Sequence, residues 1–228
     1  MARPERVSRK SRRRQDAGQG RPPSGAPRAR VRDPEAARDA IISSGKIVFN
    51  REGYFRTNSN IIAQRSGYAA SSFYTHFRDK LDLFLVVYSK WVEGEWSNVR
   101  AAVDVTIEAS EFLREAVERL TEHHRRWRTF RANLRALAAL EPHVREAQNR
   151  QRRRQIEWLK DLAEKLAWPR PSTSKCTFVV LALERVLDAI AESDVVELGV
   201  DSKELKQTVV GMLEDLLVPT AKGIEHCS

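Results

Sequence analysis

Residues 57–80, TNSNIIAQRSGYAASSFYTHFRDK, constrain this chain more tightly than any other stretch. Ile61, Ile62 and Ala63 supply the apolar side of a short helix. Gly67 follows where that helix must stop, at a position that favours positive φ. Thr57 is the predicted N-cap, its hydroxyl satisfying a free amide of the first turn. A second helix is predicted from about Ala69 to Phe77. At roughly 100° per residue, Phe73 and Phe77 share one side of it. Ser71, Ser72 and Thr75 point the other way, with Tyr74 and His76 on the flanks. The pattern is two short helices about a tight turn.

The outward face of the second helix holds small hydroxyls and aromatics and lacks the Glu and Lys of an ordinary solvated helix. Small polar side chains allow close approach to a DNA major groove, where Ser, Thr, Tyr and His can bond to phosphates or base edges. Ser71, Ser72, Thr75 and His76 are therefore expected to face bases, with Ala70 at the helix start beside them. Thr57, Asn58, Asn60, Tyr74 and Lys80 are expected to hold phosphates.

Ile41-Ile42, Val48-Phe49, Gly53-Tyr54, Thr57, Ile62-Ala63, Gly67, Phe73-Tyr74, His76-Phe77, Lys80 and Leu83 stand in the order and spacing of the tetracycline-repressor (TetR) family N-terminal domain. The resemblance covers about Ala36 to Val87. Four positions depart from the family pattern. Ser44-Gly45 replaces a common Ala pair in the first helix, where a Gly costs about 1 kcal/mol relative to Ala. Tyr68 replaces a common Val in the turn, and Ser71 a common Gly on the helix face. The resemblance implies a ligand-responsive repressor that binds a palindromic double-stranded DNA operator as a homodimer. It also implies a regulatory cavity in a larger helical domain, whose last two helices meet their twofold mates as a four-helix bundle.

The rest of the chain agrees with an all-α fold, in which an N-terminal three-helix helix-turn-helix domain precedes a helical ligand-binding and dimerisation domain. Asp33 and Pro34 are placed to open the first helix, and Gly53 to end it. Leu83, Phe84, Val87 and Trp91 recur at helical spacing after Asp79, and Phe112, Leu113, Ala116, Val117 and Leu120 form a later stripe. Glu141-Pro142 and Trp168-Pro169-Arg170-Pro171 are breaks. Phe178 to Ile190 is apolar on more than one side, which predicts burial against several neighbours. Leu205, Val209, Met212, Leu213 and Leu216 form the last stripe, with Pro219 as its stop. No stretch of strand length alternates with period two. The expected domains are a disordered basic tail over 1–32, the DNA-binding domain over 33–80 and the effector and dimer domain over 81–228.

Charge singles out that tail. The chain carries a net charge of +9, and residues 1–32 hold eleven Lys or Arg against two acids. The excess thus lies in a segment with almost no apolar residues, which cannot offset its ordering entropy and which seeks polyanions. Arg12-Arg13-Arg14, Arg28, Arg30 and Arg32 are placed to lie along a minor groove or backbone. No apolar run is long enough for a membrane span or a signal peptide. Cys176 and Cys227 lack partner spacing. The expected location is a bacterial cytoplasm, in association with the nucleoid.

Catalytic signatures are missing: no G-x-S-x-G, G-x-G-x-x-G or H-E-x-x-H occurs. His123 and His124 are adjacent, so on a helix they diverge by about 100° and make a poor metal clamp; a surface role is expected, with one of the pair lining a pocket as the alternative. No catalytic residue, metal or cofactor is expected. For the implied cavity the candidate lining is Trp91, Phe112, Leu120, Trp127, Phe130, Trp158, Leu162 and Phe178, which would suit a small hydrophobic or aromatic effector. The same residues also serve as plain core. The basic clusters Arg125, Arg126, Arg128, Arg131 and Arg135, and Arg150, Arg152, Arg153 and Arg154, are read as solvated faces paired with nearby glutamates. An all-α ligand-binding protein without DNA recognition is the competing reading, and it predicts no salt-dependent binding to any duplex.

Overall fold

The computed structural model describes residues 33–101 and 108–218. The basic segment 1–32, Pro219 and Cys227 lie outside the described residues. Every element described is helical. The helices are α1 (Pro34–Arg51), α2 (Ser59–Arg65), α3 (Ala70–His76), α4 (Lys80–Ala101), α5 (Ala109–Arg126), α6 (Arg128–Leu140), α7 (Pro142–Lys165), α8 (Thr173–Glu192), α9 (Asp194–Glu197) and α10 (Ser202–Leu217). They belong to one contact unit.

Local chemistry sets the ends of the first three helices. Asp33 caps α1 by accepting from the Glu35 amide at 2.9 Å, with Pro34 in the first turn. Gly53 follows α1 at φ +81°. The cap of α2 is Asn58, whose side chain accepts from the Ile61 amide at 3.0 Å. This corrects the expectation for Thr57, which is buried with an unpartnered hydroxyl. Asn caps at least as well as Thr, and the main chain at Thr57 is used elsewhere. At the far end of α2, Gly67 adopts φ +80°. Its amide reaches the Gln64 carbonyl while that of Tyr68 reaches Ala63, both at 3.1 Å. These are the paired bonds of a Schellman turn, so the chain reverses tightly into α3.

The departures at Ser44-Gly45 find their reason in packing. Ser44 is buried, and its hydroxyl donates to the Ile62 carbonyl of α2 at 3.0 Å. A β-carbon at position 45 would lie 2.9 Å from Cδ2 of Leu83. The glycine therefore lets α4 approach α1, at the cost of a weaker helix position.

The core of the first three helices does not close on itself. Ile41, Phe49, Ile62, Phe73, Phe77, Leu83 and Phe84 share one cluster with Phe130, Leu134 and Leu137 of α6. Phe84 stacks on Phe130 with ring centroids 4.5 Å apart. Polar clasps flank that stack: Asn50 donates to the Arg126 carbonyl at 2.6 Å, and the Tyr54 amide donates to Asn133 at 2.9 Å. A second cluster joins α5, α7, α8 and α10 through Phe112, Val117, Leu159, Leu162, Val179 and Leu213.

Helix α8 corrects the expectation of all-round burial. Val179 and Val180 face the second cluster and Leu187 packs with Leu120 and Ile190, but Phe178 is 55% exposed and Leu181 46% exposed. Residues 178, 181 and 185 sit at helical spacing on this outward side, with Arg185 also exposed.

Candidate nucleic-acid interface and internal cavity

Helix α3 presents the split surface its sequence predicts. Phe73 and Phe77 are buried at 0% and 2% exposure, whereas Tyr74 is 58% exposed. Ala70, Ser71 and Thr75 are exposed, and Ser72 and His76 are half-buried at the margins. The Thr75 hydroxyl donates to the Ser71 carbonyl at 3.2 Å, which leaves its oxygen lone pairs outward. Tyr74 leans edge-on against Phe73 at 5.4 Å, so the phenol is held at the rim by the core beneath it. Asn58 and Asn60 are also exposed near this face, although the Asn58 oxygen is committed to its cap.

Lys80 does not match its expected role. Its ammonium donates to the carbonyls of Tyr54 and Thr57, both at 2.7 Å, and burial pulls its pKa below the ordinary lysine value. It ties the loop before α2 to the start of α4. The exposed cation at the end of α3 is Arg78, with a side chain 86% accessible and only a loose 3.9 Å pairing to Asp82. Both residues follow Phe77, and no periodic signal distinguishes them in sequence. Only the folded loop decides which one faces inward.

Of the eight residues expected to line a cavity, four do. Phe112, Leu120, Trp158 and Leu162 border an internal cavity of about 70 Å³ between α4, α5, α7, α8 and α10. Trp91, Trp127 and Phe130 pack in or against the first cluster, and Phe178 faces outward. The aromatic spacing is right for burial, but it does not say against which neighbour. The lining also includes Trp96 and Trp168, together with polar groups at Glu95, His124, Gln155 and Glu184. Trp96 meets Trp158 at 4.5 Å between centroids, and an outer cleft of about 220 Å³ bordered by Val92, Glu93, Gln151 and Arg154 shares these two indoles.

Beside the cavity lies a buried charged network that corrects two further expectations. His123 and His124 are both buried rather than at the surface, and His124 lines the cavity, which is the alternative named for one of the pair. Each ring nitrogen of His124 faces a carboxylate at 3.0 Å, Nδ1 towards Asp188 and Nε2 towards Glu95. Arg131 is buried and bonds Asp188 through two nitrogens, and Arg135 bonds both Asp188 and Glu192. These two arginines therefore leave the solvated face, because a spacing of four puts both against α8. Burial works to raise the Asp188 and Glu95 carboxyls. Bonds from His124 outweigh it at both, helped by the Arg131 charge, and hold them below the usual range. The sequence signal was Asp188 itself, an acid that stands with Glu184 inside the largely apolar run of α8. Among the described residues no His, Cys, Asp and Glu group has the arrangement of a metal site.

Comparison with known proteins places this geometry. Residues 41–87 match the profile of bacterial regulatory proteins, tetR family. This is the span that contains α2, α3 and the Gly67 turn. Over that span, about a fifth of its length, the chain is similar to the TetR family.

A curated TetR-type relative is the HTH-type transcriptional activator FasR of Mycolicibacterium smegmatis, 33% identical over 101 residues. The match takes in 44% of this chain and 46% of FasR, so the chain spans about half the length of that relative. Among solved structures, GusR of Salmonella enterica superposes with a TM-score of 0.65 at 17% identity, covering 82% of this chain and 98% of its own. The fatty acid degradation regulator FadR of Bacillus halodurans gives 0.56 at 18% identity, covering 81% and 96%. At these identities the likeness to both is one of fold. Of the departures from the family pattern, those at Ser44, Gly45 and Tyr68 fall at packing or turn positions, and that at Ser71 falls on the outward face of α3.

Proposed function

We propose that this chain is a homodimeric, effector-responsive regulator of transcription, which lays α3 of each protomer in the major groove of a palindromic operator and represses by occupying it. The observation that carries the reading is the division of α3, with Phe73 and Phe77 sunk in the core and Ala70, Ser71, Tyr74 and Thr75 outward. Ser71, Ser72, Thr75 and His76 face bases. Asn60, Tyr74 and Arg78 take phosphates, with Arg78 in the place first given to Lys80. Residues 33–80 are the reading domain and 81–228 the effector and dimer domain. Phe178 and Leu181, apolar and exposed on α8, support pairing of α8 and α10 with their twofold mates, since C2 symmetry matches a palindrome. Half-sites then lie about 34–36 Å apart or a multiple of it. No described helix is long and apolar enough to cross a membrane, and the cytoplasm, where the operator is, is the proposed location.

Selection of bound fragments from the source genome gives the operator, and titration on it gives the test. Thr75→Ala and Tyr74→Ala should each weaken binding about tenfold or more, within the roughly 1–3 kcal/mol of a good groove contact, while the dimer persists. Unchanged affinity would remove α3 from the interface. Deleting residues 1–32 should flatten the salt dependence of binding if that segment neutralises phosphates. A second reading, activation, is favoured by the likeness to FasR, a transcriptional activator. A promoter fusion separates the two, since loss of the chain raises output under repression and lowers it under activation.

A further inference from the structure

The internal cavity is small, about 70 Å³, and the cleft outside it is about 220 Å³. Neither alone reaches the roughly 300 Å³ at which ligand sites begin, but together they approach it. What divides them is the pair Trp96 of α4 and Trp158 of α7, the two indoles that border both spaces. One face of α7 runs the length of the path. Gln151 and Arg154 stand in the outer cleft, Trp158 in the partition, and Gln155, Leu159 and Leu162 inside.

Gln155 is the unusual member. It is buried at 6% exposure, borders the cavity, and its Oε1 has no hydrogen-bond partner. An amide oxygen removed from water without a partner is costly, and a donor arriving in the cavity would relieve that cost. The remaining polar lining sets the charge of such a donor. Glu95 is bonded to His124, His124 also to Asp188, and Glu184 to Arg152. A ligand carboxylate would thus meet two carboxylates and no unpaired cation inside. Arg154 borders only the exposed outer cleft, beside Glu93, where solvent screens its charge.

We infer that the effector is an uncharged, elongated apolar molecule bearing a hydroxyl or N–H group, that it passes between α4 and α7 by parting Trp96 from Trp158, and that its polar hydrogen is accepted by Oε1 of Gln155. The inference rests on the effector-responsive reading above. Filling the cavity merges it with the outer cleft, so the apolar body displaces no bonded group and only the indole contact opens.

The test uses the full chain and three probes of one length, 1-decanol, nonyl methyl ether and decanoate, followed by tryptophan emission without DNA. Decanol should bind roughly three- to tenfold more tightly than the ether, the range of one neutral hydrogen bond, and decanoate should bind most weakly. Gln155→Leu should bring decanol to the affinity of the ether and leave the ether unchanged or tighter. Trp158→Ala should speed association and keep the preference for the alcohol. Equal binding of alcohol and ether, or decanoate as the tightest probe, would overturn the inference, and both are read on the native chain whether or not the variants fold. So would an equal loss of both probes in Gln155→Leu, or no binding of any probe to the native chain and Trp158→Ala alike. An unchanged association rate in Trp158→Ala would overturn the gate. Operator affinity is measured separately. Alcohol-selective binding that leaves it unmoved supports the site and overturns the effector reading, whereas release without alcohol selectivity does the reverse.

Discussion

The ammonium of Lys80 lies 3.9 Å from the centroid of the Tyr54 ring and 2.7 Å from the Tyr54 carbonyl. One cation thereby holds the ring and the backbone of the same residue, and the Thr57 carbonyl as well. Lys80→Met should lower thermal stability, by about 1–3 kcal/mol for charge-assisted bonds removed from a part-buried site. Arg78→Ala should leave stability unchanged, weaken operator binding and reduce the salt slope by about one. Denaturation and salt titrations on both variants check the pair. An exchange of the two phenotypes would restore Lys80 to the DNA.

Gly45→Ala tests close approach against helix propensity. Propensity alone favours the alanine by about 1 kcal/mol, but the new methyl would stand 2.9 Å from Leu83. Overpacking of a tight core costs about 1–3 kcal/mol, so the variant should be net destabilised. Leu83→Val should offset part of that loss in a double-mutant cycle, and a plain gain in stability would show that α1 and α4 separate freely.

Asp188→Asn should be among the most damaging single changes in the larger domain. It removes the partner of buried Arg131 and of His124, and breaking such a pair costs about 3–5 kcal/mol. Replacing Arg131 and Asp188 together with Met and Leu should recover much of the loss, because no buried charge is then left unpaired. Chemical denaturation of the single and double variants measures both.

Stability should fall on the acid side in two stages. Burial, opposed by the nearby Glu95 charge, lowers the His123 pKa below its ordinary 6.5. The unfolded chain then binds a proton more readily there, and stability drops as pH falls below 6.5. Around His123 stand Trp91, Trp127, Glu95, His124 and Arg131. A second loss begins as pH falls through the ordinary carboxylate values of 4.5 and 3.8, where the unfolded forms of Glu95 and Asp188 take up protons that their folded forms refuse. His123→Phe should flatten the first stage and leave the second.

The paired short helices α2 and α3 were readable because their determinants are local. Asp33 before Pro34, Gly67 after an apolar turn, and Phe73 four residues before Phe77 each act within one or two helical turns. The residues misjudged act across the fold. Lys80 and Arg78 are equivalent until the loop at Tyr54 folds over one of them. His124 and Arg131 look solvated until α8 brings Asp188 against them. Phe178 carries the same apolar signal as Val179, and only the packing of α8 decides that one faces inward and the other out. Gln155 sits among charged neighbours on α7 with nothing in sequence to mark it.

The stacking of Phe84 on Phe130 has a further consequence. A fragment cut after Lys80 would leave Phe49 and Tyr54 without the Phe84 ring they pack against, and wet hydrocarbon would face solvent where α4 and α6 now lie. The groove-reading part is therefore no portable cassette. It should melt together with the body in a single cooperative transition, and any tilt of α6 should be inherited by α3.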